Sequence, residues 1–155
     1  MAEQSPVRDT GGISPMGVED LEEVCRIEQA CFSSPWPRQA FEQSLEDLGA
    51  TCLVAWDAEG VVGYVVCWFF GDRMLIANLA VRPEKQRRGW GTRLLEAALK
   101  AARAEHVTVV YLDVRESNAE AIRLYRRFGF RVVGRRPRYY TKPVEDALVM
   151  MRELD

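Results

Sequence analysis

Residues 78–92 read Asn-Leu-Ala-Val-Arg-Pro-Glu-Lys-Gln-Arg-Arg-Gly-Trp-Gly-Thr, a strand pattern that runs into a basic turn. The apolar residues before Pro83 predict a strand over residues 75–81. Apolar residues recur at helical spacing after the turn: Leu94, Leu95, Ala98, Leu99 and Ala102. Free N–H groups at the start of that helix would bind an anion, and Lys85, Arg87 and Arg88 would add mobile positive charge.

The turn does not match two common phosphate-binding motifs. A Walker loop would end in Gly-Lys-Ser/Thr, and the dinucleotide fingerprint would need a third glycine. The pattern that remains, Gln86-x-x-Gly89-x-Gly91, resembles the coenzyme A pyrophosphate loop of the GNAT N-acetyltransferases. Taken alone, it leaves open a plain tight turn that starts a helix.

The net charge of −2 conceals a strong asymmetry along the chain. Residues 1–81 hold 4 basic and 13 acidic side chains, a net of −9, whereas residues 82–138 hold 15 and 6, a net of +9. Residues 139–155 hold 2 and 4, a net of −2, which restores the total. A basic centre suits a polyanionic ligand and an acidic flank suits a basic partner, unless both faces are simply solvated.

Several classes of protein are disfavoured by composition. The four cysteines form no Cys-x-x-Cys pair, and the one histidine, His106, is expected to be a surface or capping residue. We therefore expect no metal site and no Ser-His or Cys-His nucleophile. The longest nearly apolar run, residues 61–70, is about half a membrane span, and no secretory leader opens the chain. A soluble, cytoplasmic protein is expected.

Periodicity and turn residues predict a single domain of about 143 residues, 13–155, behind a flexible tail at 1–12. The predicted strands are 13–16, 51–56, 61–70, 74–81, 108–114, 130–134 and 147–152. The predicted helices are 18–32, one that begins near Pro37, 89–105, and one that a capping box at 117–120 begins and Gly129 ends. This order predicts an α/β (α+β) fold, a mixed, mostly antiparallel sheet of six to seven strands flanked by about four helices.

A second motif lies one strand after the glycine turn. Residues 117–130 contain Ser-Asn-x-x-Ala-x-x-Leu-Tyr-x-x-x-Gly-Phe, which resembles the acyl-coenzyme A half of a GNAT N-acetyltransferase. The order of predicted elements over residues 13–152 also matches the GNAT fold. Within that superfamily, Asn78-Leu79-Ala80-Val81, Arg135-Arg136-x-x-Tyr139-Tyr140 and Glu145-Asp146-Ala147 resemble the RimI-type protein N-terminal alanine acetyltransferases.

The resemblance implies transfer of acetyl from acetyl-coenzyme A, as co-substrate, to the α-amine of a protein N-terminus. In the resembled family the acceptor is the N-terminal alanine of a small-subunit ribosomal protein, and no nucleic-acid or membrane partner is implied. Acetylation of a small-molecule amine stays open as an alternative. A non-catalytic coenzyme A-binding module is a further one, which Tyr125 and the carboxylate at position 113 argue against.

The residues that the resemblance assigns to the cofactor are Leu79, Ala80, Val81, Gln86, Arg87, Arg88, Gly89, Trp90, Gly91, Thr92 and Asn118. Strand N–H groups near Leu79 and Val81 could face the oxyanion of the reacting thioester if the neighbouring strand diverges. Asn118 could hold the amide-rich pantetheine arm, or it could serve only as a helix N-cap.

Two residues are implied to be catalytic. Tyr125 would protonate the leaving thiolate, unless it is a core aromatic beside Phe128. Asp113 occupies the position of a family glutamate that accepts the amine proton through water, and it could instead pair with an arginine. Trp36, Tyr139 and Tyr140 are the expected walls of the peptide groove, or else half-buried aromatics of strands and loops.

Overall fold

The computed structural model describes residues 11–155, which form a seven-stranded sheet with helices on both faces. The strands are β1 (Gly12–Pro15), β2 (Ala50–Asp57), β3 (Gly60–Phe70), β4 (Arg73–Val81), β5 (Val109–Arg115), β6 (Arg131–Thr141) and β7 (Val144–Glu153). The helices are α1 (Leu21–Cys31), α2 (Arg38–Glu46), α3 (Trp90–Ala104) and α4 (Ala119–Arg127). The strand order is β1-β2-β3-β4-β5-β7-β6, and only β4 and β5 are parallel. The predicted fold class is confirmed.

The sheet separates two apolar clusters. On one face α1 and α2 contribute Leu21, Val24 and Phe41, and on the other face α3 contributes Leu94 and Leu95. Because β3 lies between the two clusters, residues 61–67 are buried on both of its faces. That double burial explains why this strand is an unbroken apolar run rather than an alternating pattern.

The sheet is incomplete between its two parallel strands. Pairing of β4 with β5 begins at Arg73–Val109 and ends at Ile76–Leu112, after which the strands diverge. At the same point β4 carries a bulge, because Val66 opposes Asn78 and Cys67 opposes Ile76. A bulge bends the strand that contains it, and here it coincides with the divergence of β4 from β5.

The last two strands are longer than the sequence indicates. The basic, tyrosine-rich residues predicted to separate strands 130–134 and 147–152 lie within β6 and β7, which only two residues connect. The pairing register shifts between Arg136 and Tyr140, so this segment has no regular alternation of apolar and polar side chains. Such alternation is the signal by which a strand is recognised in a sequence, and its loss explains why both strands were predicted too short.

The helix ends follow local capping rules, with one correction. α3 and α4 each end with a residue of positive φ, His106 at 58° and Gly129 at 84°. His106 is exposed and occupies this capping position, as predicted. The predicted capping box is wrong, because the N-cap of α4 is Asn118, whose Oδ1 accepts from Ala121 N–H. The Ser117 N–H instead donates to the distant Glu145 carboxylate.

The start of the chain is only partly described. Most of the tail predicted for residues 1–12 lies outside the described residues, and Gly12 already belongs to β1, the predicted edge strand. In the part of the chain that the structure describes, no helix is long and apolar enough to cross a bilayer.

Candidate active site

One continuous cleft of about 1020 Å³ passes through the gap between β4 and β5. On one side it is bordered by the turn before α3 and by α4, and on the other by the loop between α1 and α2 and by the β6–β7 hairpin. Every predicted site residue borders the cleft except Arg88 and Trp90. Trp90 packs against the core, and its ring lies 4.5 Å from the Arg93 guanidinium.

The free edge of β4 presents two peptide groups to the cleft. The Arg82 N–H donates to Val62 O at 2.7 Å, so the pair Gly63–Val81 is of the non-hydrogen-bonded type. Hydrogen-bonded and non-hydrogen-bonded pairs alternate along the strands, so Leu79, which opposes Val65, is also in a non-hydrogen-bonded pair. The N–H groups of Leu79 and Val81 therefore point away from β3. The Val81 carbonyl, which points the same way, accepts from Cys31 Sγ at 3.3 Å and from Gln86 Nε2 at 2.9 Å.

The turn before α3 can accommodate an oxygen-rich anion. Gly89 has a φ of 86°, and no atom lies within 4 Å of where its Cβ would be. Gly91 lies against α4, since a Cβ there would be 3.4 Å from Leu124 Cδ2. Both glycines border the cleft at the N-terminus of a 15-residue helix. The absence of side chains lets a phosphate approach the N–H groups of the first turn.

Lys85 does not supply the mobile positive charge predicted from the sequence. It is 8% exposed, and its Nζ lies 2.7 Å from Glu59 Oε1 and 3.0 Å from Asp57 Oδ2. The hydrogen bond with Glu59, followed by that with Asp57, raises the lysine pKa. Lys85 therefore fastens the segment before the glycine turn to the β2–β3 hairpin. Of the three predicted cations only Arg87 borders the cleft, 3.9 Å from Glu120 Oε1.

Tyr125 belongs to both the cleft and the core. Its ring packs edge-on against Phe130 with centroids 5.8 Å apart, and 7% of the residue is exposed. Burial, with a smaller contribution from the nearby Tyr140, raises its pKa to about 12. The phenol therefore keeps its proton throughout the physiological pH range. The sequence left open whether Tyr125 is a catalytic residue or a core aromatic, and its position is compatible with both.

Asp113 borders the cleft and is also ion-paired. Its Oδ1 accepts from Arg136 Nε at 3.0 Å, and this hydrogen bond raises the pKa of the arginine. Its side chain is 19% exposed, against 54% for Arg136. The carboxylate is thus held by a side chain of β6 that reaches across the intervening strand β7, and the arginine pairing foreseen as an alternative is present.

Arg115 joins the two segments that border the cleft on the side opposite the turn before α3. Its guanidinium donates to Ser33 Oγ at 3.2 Å, to Lys142 O at 3.3 Å and to Glu145 Oε1 at 3.0 Å. It also lies 4.3 Å from the centroid of the Tyr140 ring. Ser33 Oγ donates directly to the Lys142 carbonyl. The α1–α2 loop and the β6–β7 hairpin therefore meet across the mouth of the cleft.

Sequence reasoning missed several residues of the cleft, and the most deeply buried charged one is Glu28. It borders the cleft although only 1% of it is exposed. Its Oε1 accepts from Tyr64 Oη at 2.5 Å and from Asn78 Nδ2 at 2.7 Å, and its Oε2 accepts from Trp36 N–H at 2.9 Å. A signal was available, since position 28 continues the helical stripe of Leu21 and Val24.

The family of the chain follows from comparison with known proteins. Residues 21–130 match the acetyltransferase (GNAT) family, and the chain belongs to that family. It is an N-acetyltransferase, and its acetyl donor is acetyl-coenzyme A, for which the glycine turn and the cleft provide a fitting site.

The relatives narrow the class further. The chain is 33% identical over 145 residues to a Bacillus subtilis protein provisionally assigned as the ribosomal protein bS18-alanine N-acetyltransferase, covering 93% of this chain and 96% of the relative. It is 31% identical over 140 residues to the enzyme of that name from Escherichia coli strain K12, covering 89% and 94%. The crystal structure of the Escherichia coli ribosomal-protein-S18-alanine N-acetyltransferase superposes with a TM-score of 0.87 at 29% identity, covering 94% and 95%.

Proposed function

We propose that the protein acetylates the α-amine of a protein N-terminus that begins with alanine, with ribosomal protein bS18 as its acceptor. The names and near full-length similarity of the relatives support this acceptor. Such an acceptor would place the enzyme in the cytoplasm, where ribosomal proteins are made. The feature that carries the proposal is the contact of Ser33 with Lys142, which joins the α1–α2 loop to the β6–β7 hairpin on the acceptor side of the cleft, opposite the glycine turn. A chain end can pass beneath that contact more easily than an amine in the middle of a folded surface.

The residues of the cleft suit direct transfer between two bound substrates. The acceptor nitrogen would attack the thioester carbonyl beside β4, where the N–H groups of Leu79 and Val81 would stabilise the negative charge on oxygen. As the C–S bond breaks, the hydroxyl of Tyr125 would donate a hydrogen bond to the leaving sulfur. Full proton transfer from a phenol of pKa about 12 to a thiolate whose conjugate acid resembles cysteine, about 8.5, would be uphill. Charge stabilisation by the hydrogen bond is therefore the main role proposed for Tyr125.

Asp113 is proposed to accept the proton of the acceptor amine through water. Because an N-terminal amine has a pKa of about 8, a large fraction is ammonium at neutral pH. We expect Asp113→Asn to lower kcat/KM by roughly tenfold to a hundredfold at pH 7 and less at pH 9, where the amine is already neutral. Asp113→Glu should retain activity, and Arg136→Met should show whether the ion pair itself is needed. A pH-independent loss in Asp113→Asn would contradict the assignment.

The acceptor assignment predicts dependence on salt and on a free α-amine. Two acidic side chains of residues 1–81, Asp57 and Glu59, pair with Lys85, which lies outside that range, so the effect should be smaller than the net −9 suggests. We expect KM for a basic peptide beginning with alanine to rise a few-fold as the Debye length falls from about 30 Å to about 8 Å.

Transfer to the same peptide distinguishes N-terminal acetylation from lysine acetylation and from acetylation of a small amine. Mass spectrometry should find acetyl only on the α-amine, and the peptide with a blocked α-amine should accept none even if it contains lysines. Acetylated lysines in the blocked peptide would reject N-terminal transfer. A preference for a small amine at every salt concentration would reject a protein acceptor.

A further inference from the structure

The carboxylates that border the cleft are ion-paired with one exception. Of its carboxylates, Asp113 pairs with Arg136, Glu145 with Arg115, and Glu120 with Arg87. The remaining carboxylate is Glu28, whose three hydrogen-bond donors are all neutral. In the described part of the chain no lysine, arginine or histidine forms an ion pair with it.

Glu28 lies beside the place where the reaction is proposed to occur. Its Oε1 is 2.7 Å from the side chain of Asn78, and the next peptide N–H along β4 is that of Leu79. Its Oε2 holds Trp36 of the α1–α2 loop, on the acceptor side of the gap. A carboxylate can accept about four hydrogen bonds, so three donors leave capacity for one more.

The burial of Glu28 makes its charge effective over some distance. Only 1% of the residue is exposed, so water screens the carboxylate weakly. A buried charge without a counter-charge is unfavourable unless it is well hydrogen-bonded, and a cation that enters the cleft would improve its surroundings. The acceptor amine carries a positive charge for much of the time at neutral pH.

We infer that Glu28 is the recognition residue for the α-ammonium group of the acceptor. The inference rests on the proposed function. It adds the negative charge that favours a peptide with a free α-amine over a peptide without one. It acts on binding, whereas removal of the proton before attack belongs to Asp113. Glu28→Gln should therefore raise the acceptor KM more than it lowers kcat.

A pair of matched peptides tests the inference without catalysis. One is a short basic peptide that begins with alanine, and the other carries a propionyl group in place of that alanine, which removes only the amine. Calorimetry on the enzyme saturated with coenzyme A gives the ratio of their affinities. We expect the wild type to prefer the amine by about tenfold and Glu28→Gln to bind both alike.

Tyr64→Phe is the control for a purely structural role of Glu28. It removes one hydrogen bond to Oε1 and leaves the charge in place, so the ratio should stay close to the wild-type value. A Tyr64→Phe variant that loses the preference as fully as Glu28→Gln would overturn the inference. So would a Glu28→Gln variant that keeps it.

Salt gives a second measurement that needs no variant at position 28. At about 1 M salt the Debye length is about 3 Å, which suppresses attraction by surface carboxylates but affects a buried one much less. We expect the wild-type ratio to persist under these conditions. A ratio near one, at low or high salt, would overturn the inference even if Glu28→Gln failed to fold. Acetyl transfer by the wild type to the alanine peptide tests the proposed function separately, so the two can fail independently.

Discussion

Tyr125→Phe is expected to lower kcat by about a hundredfold or more while the KM for acetyl-coenzyme A changes little. The hydroxyl is needed only when negative charge develops on sulfur, so its removal affects the transition state and not the bound substrate. Since burial raises the pKa of this tyrosine to about 12, its ionisation should not limit the rate on the alkaline side of the physiological range. Steady-state kinetics with the alanine peptide measures both constants.

Stability provides the control for this variant. Phenylalanine keeps the edge-on contact with Phe130, whose ring centroid lies 5.8 Å from that of Tyr125, so thermal unfolding should shift only slightly. Calorimetric titration with acetyl-coenzyme A should give the wild-type affinity. An unaltered kcat together with a clear loss of stability would mean that Tyr125 serves the core alone.

Gly89→Val and Gly91→Val are expected to weaken acetyl-coenzyme A binding by roughly a hundredfold or more. Each hydrogen bond from an N–H group to a charged phosphate oxygen contributes about 1.5–3 kcal/mol, and misplacing two of them gives a loss of that size. The two substitutions act differently. Valine at position 89 strains a backbone with φ of 86°, whereas valine at position 91 crowds Leu124 on α4. Calorimetry on the purified variants measures the loss.

Gly71→Val is the matched control for the strain at position 89. Gly71 also has a positive φ, 61°, has no atom within 4 Å of its Cβ position, and does not border the cleft. Its valine variant should lose stability to a similar degree and keep its affinity for acetyl-coenzyme A. Wild-type affinity in both Gly89→Val and Gly91→Val would rule out the turn as the pyrophosphate site.

The order and type of the elements could be predicted because each has a local signal. Helical spacing in α1 and α3, the glycine turn before α3 and the capping glycine after α4 all depend on neighbours a few residues away. The full length of β6 and β7 could not be predicted, because a shift of register interrupts the alternation of apolar and polar side chains. The N-cap of α4 was misplaced by one residue because Glu145, 28 positions along the chain, binds the Ser117 N–H.

The site was predicted where a motif is local and missed where it is assembled by the fold. Gly89, Gly91, Asn118 and Tyr125 border the cleft as the two motifs indicate. Lys85 was misread because its carboxylate partners lie on another hairpin, which no local pattern reveals.

Glu28 was missed for a related reason. A glutamate in an amphipathic helix is usually a solvated residue, and only its place on the apolar stripe of α1 hinted otherwise. Its three hydrogen-bond donors come from β3, β4 and the α1–α2 loop, and they meet only in the folded chain.

The divergence of β4 and β5 means that the polypeptide does not complete its own sheet. Peptide groups in the middle of a sheet normally find partners on both sides, and here the amide-bearing arm of the donor is suited to take the place of a neighbouring strand. A ligand that binds only the folded state adds about 2.7 kcal/mol to stability at a hundredfold excess over its dissociation constant. The supply of acetyl-coenzyme A would then govern how long each copy of the enzyme survives, as well as how fast it works.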